Sequence, residues 1–150
     1  MSETGKVLSR VLDDAPKDHP ATRVGVDYWR QVLEKANRPD QLRGFGWMAG
    51  VKALGEVEWL SLVRATCEKA GGEVEFPTSI ADRVGEMPLC EDSAAILLLL
   101  MRGTREPWEL SYMGEIAIRL LKLPDQPPEP VRSELRTALI EYGFVKGRDL

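Results

Sequence analysis

The sequence predicts an all-α fold: an irregular array of seven to eight helices, packed as HEAT-like helical hairpins or as a bundle. The first observation behind this prediction is that apolar residues recur at helical spacing along most of the 150 residues. The second is that only residues 73–76 alternate as a strand does, and this segment between a glycine and a proline forms at most an extended linker. We expect one helical domain over residues 1–150, in which residues 1–19 form a peripheral helix and loop.

Two helices are predicted before residue 37. A short helix over Lys6–Asp14 ends ahead of Pro16, which cannot continue it. The second helix runs from about Pro20 to Ala36 and is stopped by the turn residues that follow. Its apolar face is predicted to carry Val24, Tyr28, Trp29, Val32 and Leu33.

The next two predicted helices flank a glycine-rich stretch. The third helix begins near Pro39, since the missing N–H of proline is tolerated in a first turn. It presents Leu42, Phe45 and Trp47 or Met48, and three glycines interrupt it. The fourth helix covers about Glu56–Ala70 and ends at Gly71-Gly72, where glycine favours helix termination. Its predicted inward face is Val57, Leu60, Val63 and Cys67.

Two helices are predicted between residues 77 and 103. The fifth helix is short, opens at Pro77 and carries Ile80 and Val84. The sixth covers about Cys90–Arg102 and contains the uninterrupted apolar run Ile96–Met101. A helix that is apolar all round must be covered on most sides, so we place the sixth helix at the centre of the core.

The last two predicted helices are separated by a stiff proline-rich connector over residues 124–130. Ser111 is the expected N-cap of the seventh helix, which extends to about Leu123 with Met113, Ile116, Ala117 and Leu120 inward. The eighth covers about Pro130–Tyr142 and buries Val131, Leu135, Ala138 and Leu139. We expect Gly143 to adopt a left-handed conformation after it, with Phe144 folded back onto the last turn.

Composition and segment patterns favour a globular protein over a secreted or membrane-spanning one. A hydrophobic content of 43% with 29% charged residues is typical of a soluble globular protein. The N-terminal residues lack the basic head and apolar run of a signal peptide. The longest apolar stretch, Ala94–Met101, is far shorter than the roughly 20 residues of a membrane span. Two distant cysteines form no disulfide framework, so we expect a cytoplasmic protein without a membrane partner.

Several groups of residues resemble a known class of protein segment. They are Tyr28-Trp29-Arg30, Gly44–Met48, Glu58-Trp59-Leu60, Ala70-Gly71-Gly72, Leu99–Gly103, Glu106-Pro107-Trp108, Tyr142-Gly143-Phe144 and Arg148-Asp149-Leu150. Over about residues 28–150 the chain is similar to the C-terminal helical segment of large bacterial antiphage-defence proteins. Those proteins have sirtuin-type or signal-transduction ATPase cores and end in irregular HEAT-like repeats. The resemblance implies a non-catalytic helical array, here a stand-alone relative or a subunit of a larger assembly.

No group of residues in the sequence predicts catalysis, a metal or a cofactor. His19 is the only histidine and lies in a predicted loop, where a histidine is usually solvated. Cys67 is expected to be a buried, inert thiol, whereas Cys90 before a helix start has the alternative of mild activation. Glu56 and Glu58 are expected in a first helical turn because of the helix dipole. Glycine spacing matches no phosphate-binding loop. We therefore predict that the protein is not an enzyme.

Binding residues are predicted in the last third of the chain. Trp108, placed on a loop, is the candidate exposed anchor, with burial left open as the alternative. A basic surface would combine Arg119 with Lys122, Arg132 with Arg136, and Arg148 in the tail, although glutamates interleave with them.

Two functions remain from these residues. The preferred one is a non-enzymatic module that binds a protein partner, as an adaptor or accessory subunit of a bacterial defence assembly. The alternative is a small all-helical subunit of a nucleoprotein effector complex that contacts RNA or DNA backbone. Salt dependence of binding distinguishes them, because phosphate contacts weaken steeply with salt.

Overall fold

The computed structural model describes residues 20–38, 40–42, 54–122 and 129–144. Six α-helices lie in these ranges: α1 (Pro20–Lys35), α2 (Glu56–Ala70), α3 (Pro77–Gly85), α4 (Glu91–Gly103), α5 (Pro107–Leu121) and α6 (Val131–Glu141). No strand occurs among these residues, so the all-α prediction is confirmed. The six helices are fewer than the seven to eight expected, and the predicted helix Lys6–Asp14 lies outside the described residues. Of the predicted third helix, only a single turn over residues 40–42 is described.

The core is organised around α4, as the apolar run predicts. This helix packs against α2, α3, α5 and α6, so most of its sides are covered. Leu97 and Leu100 have no exposed surface, Leu98 is buried, and Leu99 is half-buried. The central position predicted for this helix is therefore confirmed.

Helix α2 has the predicted bounds because the residues directly after it end the helix. Gly71 follows it with a left-handed backbone (φ 65°), and the N–H of Gly72 donates to the Cys67 carbonyl at 2.9 Å. This geometry satisfies a carbonyl that would otherwise lack a partner at the helix end. Glycine is favoured at Gly71 because it enters the left-handed region without a Cβ clash.

The predicted inward faces of α1 and α2 were wrong at one residue each. Val24 is 60% exposed and Val57 is 81% exposed, while Val26 is buried instead. In α1 the buried positions include Val26 and Trp29, and the Trp29 indole N–H donates to Thr66 Oγ1 of α2 at 2.9 Å. Val24 lies five residues before Trp29, roughly 140° around the helix, and therefore faces solvent. In α2, Val57 lies in the first turn, on a side that the neighbouring helices leave uncovered.

Helix α5 begins at Pro107 and not near Ser111. Proline occupies the first turn without penalty, and Glu106 adopts the extended backbone of an N-cap. Trp108 therefore lies in the first turn of a helix, where the sequence placed it on a loop. The predicted inward residues Met113, Ile116, Ala117 and Leu120 are all buried.

The turn after α6 confirms the prediction for Gly143, which has φ 78°. The N–H of Phe144 reaches back to the Leu139 carbonyl at 3.0 Å. Its ring nevertheless packs on the neighbouring helix: a Cβ added to Gly114 of α5 would lie 2.6 Å from the Phe144 ring. Gly114 thus makes room for an aromatic ring that holds α6 against α5.

An ion-pair cluster joins α2 to the start of α4. Arg64 binds Glu68 on its own helix at 2.8 Å, Asp92 at 2.9 Å and Glu91 at 3.4 Å. The hydrogen bonds to Asp92 and Glu68 raise the pKa of the Arg64 guanidinium further above its usual range.

Among the six described helices, none is both long enough and apolar enough to cross a membrane.

Candidate interaction surface

Four aromatic side chains are exposed among the described residues: Tyr142, 38% exposed, follows α6, and the other three lie on or beside α3 and α5. Phe76 is 63% exposed, Trp108 is 62% exposed and Tyr112 is 37% exposed. We call these three residues the aromatic surface. Phe76 immediately precedes α3, whereas Trp108 and Tyr112 stand one turn apart on the same face of α5.

The packing of α3 against α5 brings the aromatic surface together at one end of the helix pair. The Tyr112 hydroxyl donates to Asp82 of α3. One turn further along α3 and two turns further along α5, Arg119 Nη2 donates to the Gly85 carbonyl at 3.3 Å. The two helices therefore run side by side in the same direction. It follows that Phe76 and Trp108, which lie at their starts, belong to the same end of the pair.

Phe76 has an unusual backbone for an aromatic residue. Its φ of 54° and ψ of 51° fall in the left-handed region, and no other non-glycine residue among those described has a positive φ. In this position its carbonyl accepts hydrogen bonds from the N–H groups of Ser79 at 3.1 Å and Ile80 at 3.4 Å, which opens α3. The cap keeps the ring outside the core, at a cost in backbone energy.

A cleft of about 410 Å³ opens beside the aromatic surface. We call it the acidic cleft, because its charged lining residues are Asp40, Glu73, Glu75, Glu109 and a single cation, Arg105. Pro77 also lines it, so the cleft adjoins Phe76 through Glu75 and Pro77 and adjoins Trp108 through Glu109.

The carboxylates of the acidic cleft are only partly neutralised. Arg105 lies 3.6 Å from Glu73, but its side chain is 90% exposed, and Asp40 pairs with Arg38 at 3.3 Å. Glu109 accepts a hydrogen bond from the Thr104 hydroxyl at 2.8 Å, which leaves its charge in place. Glu75 and Glu109 form no ion pair with any residue in the described ranges. The cleft thus keeps a negative charge next to exposed aromatic rings.

Tyr112 is a fixed part of this surface. The hydrogen bond to Asp82 raises the pKa of its phenol above the usual range, with further contributions from desolvation and from the Asp82 charge. The hydroxyl is therefore a neutral donor at physiological pH and keeps the ring oriented against α3.

The predicted basic residues occupy two separate settings. Arg119 turns toward α3, where a Cβ on Gly85 would lie 2.6 Å from its guanidinium, and Lys122 is exposed just after α5. Arg132 and Arg136 are half-buried on α6, and both lie near Glu129. A hydrogen bond from Ser133, aided by these two arginines, lowers the pKa of Glu129. Arg148 lies outside the described residues.

The other candidate side chains in the described ranges are buried or make contacts within the fold. Burial raises the pKa of the Cys67 thiol to about 12, with a smaller contribution from the charge of Glu68. Cys90 is half-buried at the start of α4, where its N–H donates to Ser93 Oγ at 2.7 Å. Glu58 pairs with Arg23 at 3.0 Å. No group of potential metal-ligating side chains gathers within the described ranges, and His19 falls outside them.

Sequence reasoning found Trp108 but missed Phe76 and Tyr112. Tyr112 could have been found by its spacing, because it stands four residues after Trp108 and shares its face in any helix that begins at Pro107. Phe76 carried a weaker signal. An apolar residue just before a helix-opening proline occupies the N-cap, but whether its ring then folds inward depends on neighbours distant in the chain.

In comparisons with protein-family models, curated proteins and solved structures, none matches this chain. The resemblance to the helical segment of antiphage-defence proteins therefore stays a prediction.

Proposed function

We propose that this protein is a non-enzymatic helical module that binds a protein partner through the aromatic surface. The observation behind the proposal is the pair of large rings, Phe76 and Trp108, that stand more than 60% exposed at the same end of α3 and α5. Tryptophan and tyrosine are enriched among the residues that dominate binding energy in protein interfaces. Each ring combines a large apolar area with few rotatable bonds, so little entropy is lost when a partner covers it.

The scaffold beneath these rings suits a binding role. Tyr112 is held to α3 by its hydrogen bond to Asp82, and α5 packs on both α3 and α4. The rings are therefore presented by packed helices, and a preorganised surface loses less conformational entropy on association. Phe76 keeps an unfavourable backbone while leaving its ring in water, so the folded chain gains little from the ring itself.

The biological setting that we propose is a cytoplasmic bacterial defence assembly, in which this chain is an adaptor or accessory subunit. Support for this setting comes from the sequence resemblance. The aromatic surface supports only the more general role of protein binding.

Site-specific photocrosslinking tests the proposal. A photoreactive benzoylphenylalanine replaces Trp108 in the full chain, expressed in its native host, and a second variant carries the same probe at Phe76. The control carries it at Val57, which is 81% exposed on the separate helix α2. We expect the same partner protein to be crosslinked from positions 108 and 76 and not from position 57.

The purified partner then allows a quantitative measurement. Trp108→Ala should weaken its binding by at least about tenfold, since central aromatic anchors contribute about 2 kcal/mol or more. The same substitution should change the free energy of unfolding by no more than about 0.5 kcal/mol, because the ring is mostly exposed. The proposal would be contradicted if positions 108 and 76 gave no crosslinked partner, or if position 57 gave the same crosslinked protein.

A second candidate function is contact with nucleic-acid backbone through Arg132 and Arg136. The Nε atoms of both arginines are enclosed and have no hydrogen-bond acceptor among the described residues. Phosphate oxygens would bind the outer Nη groups of these half-buried side chains, although Glu129 lies close to both guanidinium groups. A labelled oligonucleotide, titrated at several salt concentrations, tests this role. Affinity should fall steeply with salt, and the combined Arg132→Gln and Arg136→Gln variant should lower the slope of log K against log salt by about 2.

A further inference from the structure

We infer that the partner of the aromatic surface presents an arginine-bearing segment, which stacks on Phe76 and Trp108 and places its guanidinium charges in the acidic cleft. This inference rests on the proposed function and adds the chemistry of the partner. Two independent features support it: the exposed rings, and the unneutralised charge directly beside them.

The rings favour a planar cation. Trp108 and Phe76 are both more than 60% exposed, so a partner side chain can reach them. A guanidinium group stacks on the face of an aromatic ring by cation–π attraction, and tryptophan is the best acceptor for this contact. The chain itself already contains one such pair, since the guanidinium carbon of Arg83 lies 4.3 Å from the centre of the Trp59 ring.

The carboxylates favour a positively charged partner. An exposed aromatic pair alone would also suit a neutral apolar partner. Glu75 and Glu109, however, both line the acidic cleft, directly neighbour Phe76 and Trp108 in the chain, and form no ion pair with described residues. A partner that carried acidic groups here would meet like charges, whereas a cationic partner would find complementary ones.

Arginine fits this site better than lysine does. Its planar fork can bind a carboxylate through two parallel hydrogen bonds and stack on a ring with the same group. The cleft volume of about 410 Å³ offers room for a side chain of this length. Lysine, a compact and strongly hydrated cation, would gain the charge attraction with less stacking.

The test uses defined peptides and the full chain labelled with ¹⁵N. The probe is a capped heptapeptide of alternating alanine and arginine, and the matched peptides carry lysine or glutamate at the arginine positions. The chain has four tryptophans, hence four indole N–H signals, and loss of one signal in Trp108→Phe assigns that of Trp108. We expect the arginine peptide to shift the Trp108 indole and the amides of residues 73–76, 104–106, 108 and 109. Its dissociation constant should be about threefold or more below that of the lysine peptide, and the glutamate peptide should not bind.

Matched variants separate this site from general charge attraction. Trp108→Ala, and the double change Glu75→Gln with Glu109→Gln, should each weaken arginine-peptide binding by about fivefold or more, because each removes one of the two complementary features. Glu141→Gln also removes one exposed carboxylate, but at the end of α6, and should leave binding unchanged. Sodium chloride at about 1 M, where the screening length is about 3 Å, should weaken binding strongly.

Three results would overturn the inference. The first is that the lysine peptide or spermidine binds as tightly as the arginine peptide. The second is that Trp108→Ala leaves the amide shifts caused by the arginine peptide unchanged. The third is that the chain self-associates in a way that depends on Trp108. The photocrosslinking experiment keeps the two proposals distinct. If it captures a partner whose crosslinked segment contains no arginine, the inference fails and the proposed function stands. If it captures no partner at position 108 or 76, the proposed function itself fails.

Discussion

Gly72 and Gly103 meet backbone to backbone where the chain leaves α2 and where α4 ends. A Cβ added to Gly72 would lie 2.7 Å from the Leu99 carbonyl carbon and 3.1 Å from the Gly103 Cα. A Cβ added to Gly103 would lie 2.6 Å from the Gly72 Cα. This approach lets α2 pack closely along the central helix, and the two glycines also line the acidic cleft.

The first prediction compares two neighbouring glycines. Gly71 and Gly72 both have a positive φ, but a Cβ on Gly71 would meet nothing within 4 Å. Gly71→Ala should therefore cost only the left-handed backbone penalty of about 1–2 kcal/mol. Gly72→Ala should cost about 1–3 kcal/mol more, since its Cβ would overlap the α4 backbone. Urea denaturation measures both values, and equal losses would show that the close approach of the glycines does not limit stability.

The second prediction concerns the contact that ties α1 to α2. The Trp29 indole donates to Thr66 Oγ1, and the Thr66 hydroxyl donates to the Leu62 carbonyl at 2.8 Å. Thr66→Val keeps the shape of the side chain but removes this acceptor inside the core, so it should cost about 1–3 kcal/mol of unfolding free energy. The control is the double variant with Trp29→Phe, whose cost should be clearly less than the sum of the single costs. Strict additivity would contradict the assigned bond.

The third prediction is a loss of stability at alkaline pH caused by Cys67. Its thiol has a pKa of about 12 in the folded protein, compared with about 8.5 in an unfolded chain. Between these values the unfolded chain loses its proton and the folded protein keeps it. The contribution of Cys67 is thus intact below about pH 8.5 and falls by up to roughly 1.4 kcal/mol per pH unit toward pH 12.

Cys67→Val isolates this contribution, because tyrosines and lysines titrate equally in both proteins. Below about pH 8 the two unfolding free energies should differ by a constant offset. Above that pH the parent protein should lose stability faster than the variant. Parallel curves up to pH 11 would show that the thiol is accessible to solvent in the folded protein.

The fourth prediction concerns the left-handed backbone of Phe76. Phe76→Asn places there a residue that tolerates this conformation, and Phe76→Gly removes the Cβ altogether. The ring is 63% exposed, so little burial is lost with it. Thermal and urea denaturation should show both variants at least as stable as the parent protein, with a gain of up to about 1 kcal/mol.

Phe76→Val is the control for this series. A β-branched residue suits the left-handed region poorly, so this variant should be less stable than the parent by about 1 kcal/mol. In the interaction assays, Phe76→Gly should weaken partner binding while it preserves the fold. A glycine variant that unfolds more readily than the parent would instead indicate that the ring stabilises the folded chain.

The sequence was sufficient for features whose causes lie within a few residues of one another. The bounds of α2 could be predicted because Gly71 and Gly72 end that helix through bonds to its own last turn. The central position of α4 could be predicted because a helix that is apolar on all sides is stable only when covered. The start of α5 was missed because Pro107 and Ser111 both carry local N-terminal signals, and only packing selects between them.

Tertiary structure decided which of the large aromatic side chains stay exposed. Trp59 and Trp108 are the same residue type near the start of a helix, yet Trp59 is fully buried and Trp108 is 62% exposed. Burial depends on which other helices lie within reach, and those helices are set by the packing of the whole core. For the same reason, the sequence could align Arg119 with Lys122, but only the packing of α3 turns Arg119 toward the Gly85 carbonyl. Local spacing fixes the face of a helix on which a residue lies, and contacts between residues far apart in the chain determine what that face meets.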